Sequence, residues 1–245
     1  MTAPIRIAMW SGPRNISTAM MRSFGARPDT AVIDEPFYAA YLAETGLDHP
    51  MREEVLASQP CDCRDVVAQM LGPVPESKAV WYQKHMTHHM LPHFGTEWLA
   101  SVRNAFLIRD PAAVLASYVQ KRETVELADI GIVRQRELFE REAQRLGAAP
   151  PVVDSNAVLA NPAQALARLC AALGIPFNET MLSWPAGRRE SDGVWAPAWY
   201  SAVEQSTCFA PPPASADPAS RLPDSLRRIA EEALPHYEVM KAHCI

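Results

Sequence analysis

Residues 5–24, IRIAMWSGPRNISTAMMRSF, decide how the rest of the chain is read. Ile5 to Trp10 form an apolar run rich in strand formers, Ser11, Gly12 and Pro13 interrupt it, and from Ser17 onward Ala19, Met20, Met21 and Phe24 recur at helical spacing. The pattern predicts strand, tight loop, helix. Such a loop turns backbone N–H groups and the positive end of a helix dipole toward one spot, a ready site for phosphate or sulfate. Arg14 adds a fork of donors that fits a tetrahedral oxyanion, and the hydroxyls of Ser17 and Thr18 fall where the first turn begins. The plainer alternative is an ordinary βα turn with Ser17 as helix cap. A Walker A loop is excluded, because the second glycine and the lysine of G-x-x-x-x-G-K-[ST] are missing.

The chain has 245 residues, 48% apolar and 21% charged, enough to bury a sizeable core in one α/β domain over residues 1–245. A formal charge of −5 without any Lys/Arg block argues against a nucleic-acid surface, so an anion site has to be local. The opening MTAPIRIAMW lacks the basic-then-apolar layout of a secretion signal, and nowhere do eighteen apolar residues run together. The expectation is a soluble, cytoplasmic protein with no membrane partner. Cys61, Cys63, Cys170, Cys208 and Cys244 are an odd set without framework spacing, as in a reducing compartment, and Cys61-x-Cys63 has no second pair at metal-finger spacing.

Thr30 to Asp34 (TAVID) reads as a second strand, after which Glu35-Pro36 turns into FYAAYLAET, of helical composition. If the strands are parallel, Asp34 and Glu35 lie on the same edge as the first loop; their plainer role is to cap the helix that Pro36 starts. Residues 48–76 hold two helices separated by Pro60, the second stopped by Gly72. Lys78 to Lys84 is a third strand, followed by HMTHHMLPHF, where His89 and His93 stand at the i,i+4 spacing of one helix face. No acid inside the cluster of His85, His88, His89 and His93 completes a zinc site, so no metal is expected; solvated helix-face histidines are the default and a single acid–base histidine the sharper option.

Asn104 to Arg109 is a fourth strand, with Asp110 as N-cap and Pro111 at N1 of the next helix. Arg109 closes the strand and Ser117 lies two turns on, ~9 Å along the axis, a gap that the arginine side chain largely crosses. Residues 123–146 are charged and helical. Pro151 to Asp154 is a fifth strand, leading through the turn-like SNAVLANP into AQALARLCAALG with Gly174 as its stop. The stretch 207–223 is too proline-rich for a core element and is expected as a loop; residues 224–243 read as a helical segment broken near Pro235. Five strands alternating with helices imply a parallel sheet with helices on both faces, whose ligands bind beyond the carboxyl ends of the strands. Arg14, Ser17, Thr18, Glu35, Lys84, His85 and Arg109 all fall at or just past a strand end.

On these residues the chain resembles the sulfotransferases that use 3′-phosphoadenosine-5′-phosphosulfate. Gly12 leads into Pro13-Arg14-Asn15-Ile16-Ser17-Thr18, which follows in order the family's 5′-phosphosulfate loop, P-K-x-G-T-T. Arg109 to Tyr118 (RDPAAVLASY) keeps the arginine, the serine eight residues later and the tyrosine of the 3′-phosphate motif. VVDSNAVLANPAQALARLCAALGIPF (152–177) is similar to a later strand–helix segment of the family, and GRRESDGVWAPAW (187–199) to a late loop that also holds the 3′-phosphate, here through Arg188 and Arg189. Two positions depart from the pattern: Arg14 replaces lysine and Ile16 replaces glycine. No aromatic follows Thr18 to stack on adenine, leaving Trp10 or Trp195.

The resemblance implies a P-loop-like α/β fold and in-line sulfuryl transfer, without metal, to a hydroxyl or amine of a small-molecule acceptor. Arg14, Ser17, Thr18 and Lys84 would neutralise developing charge, and either Glu35 or His85 would take the acceptor proton. Two other readings stand beside it: a nucleotide kinase-like phosphotransferase, for which Asp34 is the one tempting magnesium ligand, and a non-catalytic nucleotide-binding protein.

Overall fold

The structure, a computed structural model, describes residues 3–119, 125–211 and 218–245. Its strands are β1 (Ile5–Ser11), β2 (Thr30–Asp34), β3 (Val80–Met86), β4 (Arg103–Ile108) and β5 (Val152–Asp154). All pairings are parallel, in the order β2-β3-β1-β4-β5, so the expected five-stranded parallel sheet forms. β3 lies between β1 and β2, and Asp34 pairs with Lys84 in register. Glu35 therefore does not end a strand beside the opening loop; β3 separates them.

Helix α1 (Ser17–Gly25) follows β1, and α2 (Tyr38–Thr45), α3 (Arg52–Ser58) and α4 (Cys63–Leu71) follow β2. After β4 come α5 (Pro111–Tyr118) and α6 (Ile132–Leu146), then α7 (Ser155–Ala160), α8 (Pro162–Ala172), α9 (Ala196–Trp199), α10 (Ser201–Glu204) and α11 (Asp224–Lys241). Alternation along β1 feeds two cores. Ile7 and Met9 pack with Met20 and Phe24 of α1 and Leu166 and Leu169 of α8. Ala8 and Trp10 face the opposite core, with Val66 of α4, Leu115 of α5, Phe139 of α6 and Tyr237 of α11. A third cluster joins α2, α3 and α9 through Tyr38, Leu42, Val55, Trp195 and Tyr200.

Three local readings change. The turn-like residues after β5 are helical: Asp154 caps α7 by accepting from Asn156 N–H at 2.7 Å, and Asn161 caps α8 with Pro162 at its first turn. Helix α11 runs unbroken through Pro235, because Leu226, Ala230, Ala233, Tyr237 and Met240 bury one face on both sides of the exposed proline. The histidines after β3 form a single 3-10 turn, Thr87–His89, so His89 and His93 share no helix face. Of the proline-rich stretch, residues 212–217 lie outside the described residues, as do residues 123 and 124 at the start of the charged stretch. Among the described residues no helix is long and apolar enough to cross a membrane.

The chain leaves the neighbouring strands β1 and β4 toward opposite faces of the sheet, α1 on one and α5 on the other. That reversal opens a crevice at the carboxyl ends, the usual ligand position in such sheets.

Candidate active site

The loop after β1 has a backbone geometry suited to an anion, as its composition does. Arg14 and Ile16 both have left-handed φ, 58° and 51°, and α1 starts at Ser17 without any side-chain cap. Left-handed residues alternating with right-handed ones turn successive N–H groups inward, and an uncapped first turn leaves its N–H groups without helical partners. A β-branched side chain pays strain in that region, about 1–3 kcal/mol, where glycine would not. Ile16 packs against the α1 core nevertheless. Asn15 is buried and pins the loop by donating to Leu107 O at 2.6 Å. Gly12 serves close approach, since a Cβ there would overlap the carbonyl of Ile130.

Two arginines meet at this loop. Arg14 Nε donates to Ser117 Oγ at 3.0 Å, and Arg109 donates to the Arg14 carbonyl at 2.6 Å. Ser117 thus reaches the loop through Arg14. Neither guanidinium has a carboxylate within ion-pair distance among the described residues, and Arg109 Nε has no partner. Burial lowers the pKa of both; at Arg109 repulsion from Arg14 adds to it, outweighing Asp110 and Asp154. Such a pair has donor capacity suited to an anion.

At the other end, Lys84 is fully buried on a strand whose every residue is buried. Its ammonium donates to Asp34 Oδ1 at 2.8 Å, Glu35 Oε1 at 2.7 Å and the Tyr200 hydroxyl at 2.6 Å. Neighbours on a strand point to opposite faces, yet both carboxylates reach this lysine because Glu35 leaves the strand at φ 39°. Neither caps α2, whose N-cap is Phe37 with no side-chain bond. Burial raises the Glu35 pKa; Lys84 opposes the shift and Asp34 adds to it. Burial alone would discharge Lys84, but Asp34 and Glu35 outweigh it and hold its pKa above the ordinary value.

One cavity of about 420 Å³ joins the two ends. Pro13 to Ala19, Arg109 and Ser117 line one side, Glu35, Lys84, Tyr38, His89 and Tyr200 the other, and Leu159, Trp199 and Phe209 supply apolar wall. His89 was visible only as part of a histidine cluster. It is buried between Tyr38 and Tyr41, ring centroids at 4.5 and 4.8 Å, with Nδ1 3.9 Å from Glu35 Oε2. Burial, then His88, His49 and Lys84, push its pKa well below the ordinary histidine value, so it is neutral.

Other expected site residues lie elsewhere. His85 follows Lys84 on the strand and so points to the opposite face, stacked on Trp10 at 4.4 Å beside Phe37 and Trp98; burial lowers its pKa to about 3. Trp10 and Trp195 are both buried and do not line the cavity, so neither is placed to stack on adenine. Arg188 and Arg189 are likewise outside its walls: Arg188 lies 3.9 Å from Glu204, and Arg189 donates to the carbonyls of Pro185 and Arg188. His93 is exposed and faces Glu44 at 3.2 Å. Tyr200, central to the Lys84 cluster, carried no sequence signal beyond its position after the late loop.

An open parallel sheet with an arginine-lined loop at its switch point defines the architecture as a doubly wound α/β fold. The sequence matches the family model described as Sulfotransferase domain over residues 5–244, and the chain belongs to that family. Among curated proteins, Branched-chain-amino-acid aminotransferase-like protein 1 of Arabidopsis thaliana is 35% identical over 243 residues, 99% of this chain and 43% of that protein. The chain thus spans less than half of that relative's length. The sulfotransferase domain of the Synechococcus PCC 7002 olefin synthase superposes with a TM-score of 0.52 at 19% identity, covering 95% of each chain. Mouse sulfotransferase SULT7A1 complexed with PAP gives 0.53 at 13%, covering 98% of this chain and 90% of the mouse one. At these identities the structural likeness is one of fold.

Proposed function

We propose that the chain transfers a sulfuryl group from 3′-phosphoadenosine-5′-phosphosulfate to a hydroxyl or amine of a small-molecule acceptor. The observation that carries this is a single cavity with two arginines that pair with no carboxylate among the described residues at one end and a buried carboxylate of raised pKa at the other. When bound, the nucleotide supplies the sulfuryl group and departs as 3′,5′-adenosine bisphosphate. The loop Pro13–Thr18 with Arg14, together with Arg109 and Ser117, suits its anionic groups. Glu35 Oε1 is committed to Lys84, so Oε2 is the oxygen left to take the acceptor's proton, and the raised pKa brings its basicity toward neutral pH. His89 and Tyr38 bound the space in front of that oxygen.

Competing chemistries fit less well. Asp34, the acid the kinase reading needs as a magnesium ligand, already accepts from Lys84, from Gly193 N–H at 3.1 Å and from the Tyr200 hydroxyl at 2.7 Å. Lys84, the one lysine on the cavity wall among the described residues, is held as an ammonium by three acceptors, whereas Schiff-base chemistry needs a neutral amine. Thermal unfolding with ligand tests the proposal. 3′,5′-Adenosine bisphosphate at a hundred times its Kd should stabilise the protein by about 2.7 kcal/mol, and ATP with magnesium by much less; the reverse order overturns it.

A further inference from the structure

In sequence the late loop, residues 187–199, resembles a phosphate-holding segment, but it is anchored on α1 and reaches, through Gly193, the opposite end of the cavity. Arg22 of α1 grips Asp192 with two bonds of 2.5 and 2.7 Å, both side chains buried. Asp192 also accepts from Arg189 N–H at 2.8 Å, which fixes the turn. The next residue, Gly193, presents its N–H to Asp34 Oδ2 at 3.1 Å; a Cβ at this position would overlap the Trp195 ring that lies over it. Trp195 Nε1 donates to the Tyr200 hydroxyl at 3.1 Å, and that hydroxyl donates to Asp34 Oδ2 at 2.7 Å while accepting from Lys84.

We infer that Asp34 and Tyr200, held by the Asp192–Trp195 turn, are positioning residues: they form a clamp that fixes the Lys84 ammonium on Glu35 Oε1 and so leaves Oε2 alone to face the acceptor. This rests on the sulfuryl-transfer reading in taking Glu35 as the base. Each of the three Lys84 N–H bonds has its own acceptor, so the lysine cannot swing to Oε2 without giving one up. Neither clamp residue needs to touch substrate to act. The charged and titratable groups facing Glu35 are Asp34 from β2, Tyr38 from α2, Lys84 from β3, Tyr200 from the α9–α10 junction and the neutral His89 from the turn after β3. They act in opposite directions, since Asp34 disfavours the Glu35 carboxylate by charge and the Tyr200 hydroxyl favours it through the longer, weaker branch, at 3.4 Å to Oε1, of the one proton it shares with Asp34.

The opposed signs give the test. In intact protein carrying 13C at the glutamate side-chain carboxyls, the Glu35 resonance is identified by its loss in Glu35→Gln and titrated with pH. Asp34→Asn should move its midpoint down and Tyr200→Phe should move it up, relative to wild type. A merely structural role predicts something else: loosening the site exposes Glu35, and both variants then drift down together toward the ordinary carboxylate value. Midpoints that stay put in both variants, or a downward shift in Tyr200→Phe, overturn the clamp. Tyr200→Phe keeps the ring packing and decides the question even if Asp34→Asn does not fold. Calorimetric titration of wild type with 3′,5′-adenosine bisphosphate runs alongside; no binding there overturns the sulfuryl-transfer reading, while the carboxyl titrations still decide the clamp.

Discussion

The two ends of the cavity treat buried charge in opposite ways. Beyond β1 and β4, Arg14 and Arg109 share a hydrogen-bonded chain but meet no carboxylate among the described residues, and Arg109 Nε meets nothing. Beyond β2 and β3, Lys84 is more deeply buried still, yet two carboxylates and a hydroxyl take up every one of its protons. Partly burying a cation without a carboxylate partner is costly, and an anion from outside would offset that cost at the arginine end. The lysine end is complete in itself except for Glu35 Oε2. On the proposed reading the first end holds the donor nucleotide and the second moves a proton.

Breaking the lysine end should have the largest effect. Glu35→Gln keeps an oxygen for Lys84 but removes the base, and sulfuryl transfer in a single turnover should slow by on the order of 10²- to 10⁴-fold with nucleotide affinity retained. Full activity in Glu35→Gln would remove the assignment. His85→Phe is the companion, expected to keep transfer because His85 sits in the opposite core. Its signature lies in stability. A histidine with a folded pKa of about 3, against 6.5 for the ordinary group, stays neutral in the fold while the unfolded chain takes up a proton, so stability falls as pH drops from 6.5 toward 3. Replacing it with phenylalanine should flatten that fall by about one proton, ~1.4 kcal/mol per pH unit, in urea titrations at pH 6 and pH 4.

Breaking the arginine end should act on binding. Arg109→Ala should weaken 3′,5′-adenosine bisphosphate at least tenfold, by about 1.5–3 kcal/mol, and 5′-AMP far less, because the arginine's assigned partner is the 3′-phosphate. Equal losses for both nucleotides in calorimetry would detach Arg109 from that role.

The same contrast explains what was legible in the sequence. The sheet was, because β1, β2, β4 and β5 are short runs of mostly apolar residues closed by glycine, proline or a cap, while β3 is marked by its β-formers Val80, Trp81 and Tyr82. The arginine end was as well, because its residues are local to one loop and one strand end, and left-handed φ at Ile16 restores the conformation that glycine would give. The lysine end was only half legible. Lys84 and His85 are adjacent, and alternation lets only one face the cavity; sequence alone does not say which. Asp34 and Glu35 should have diverged by the same rule and converge only because φ turns positive at Glu35. Tyr200 joins them across 116 residues from Lys84, a contact no local pattern encodes.

The smallest expected effect concerns the late loop, where sequence resemblance and structure point to different ends of the cavity. The resemblance places Arg188 and Arg189 on the 3′-phosphate. In the structure Arg188 is more than half exposed and 3.9 Å from Glu204, Arg189 is spent on backbone carbonyls, and neither lines the cavity. What ties the loop down is Asp192 on Arg22 of α1 and Gly193 on Asp34, the second of them on the carboxylate side. An exposed arginine near a ligand but outside its contact shell adds only a screened, long-range attraction, worth well under 1 kcal/mol at physiological salt. The double variant Arg188→Ala/Arg189→Ala should therefore keep its bisphosphate affinity within about threefold of wild type, and the remaining difference should vanish as salt is raised. A loss as large as that of Arg109→Ala, persisting at high salt, would return the late loop to the arginine end and show that it closes on the nucleotide when bound.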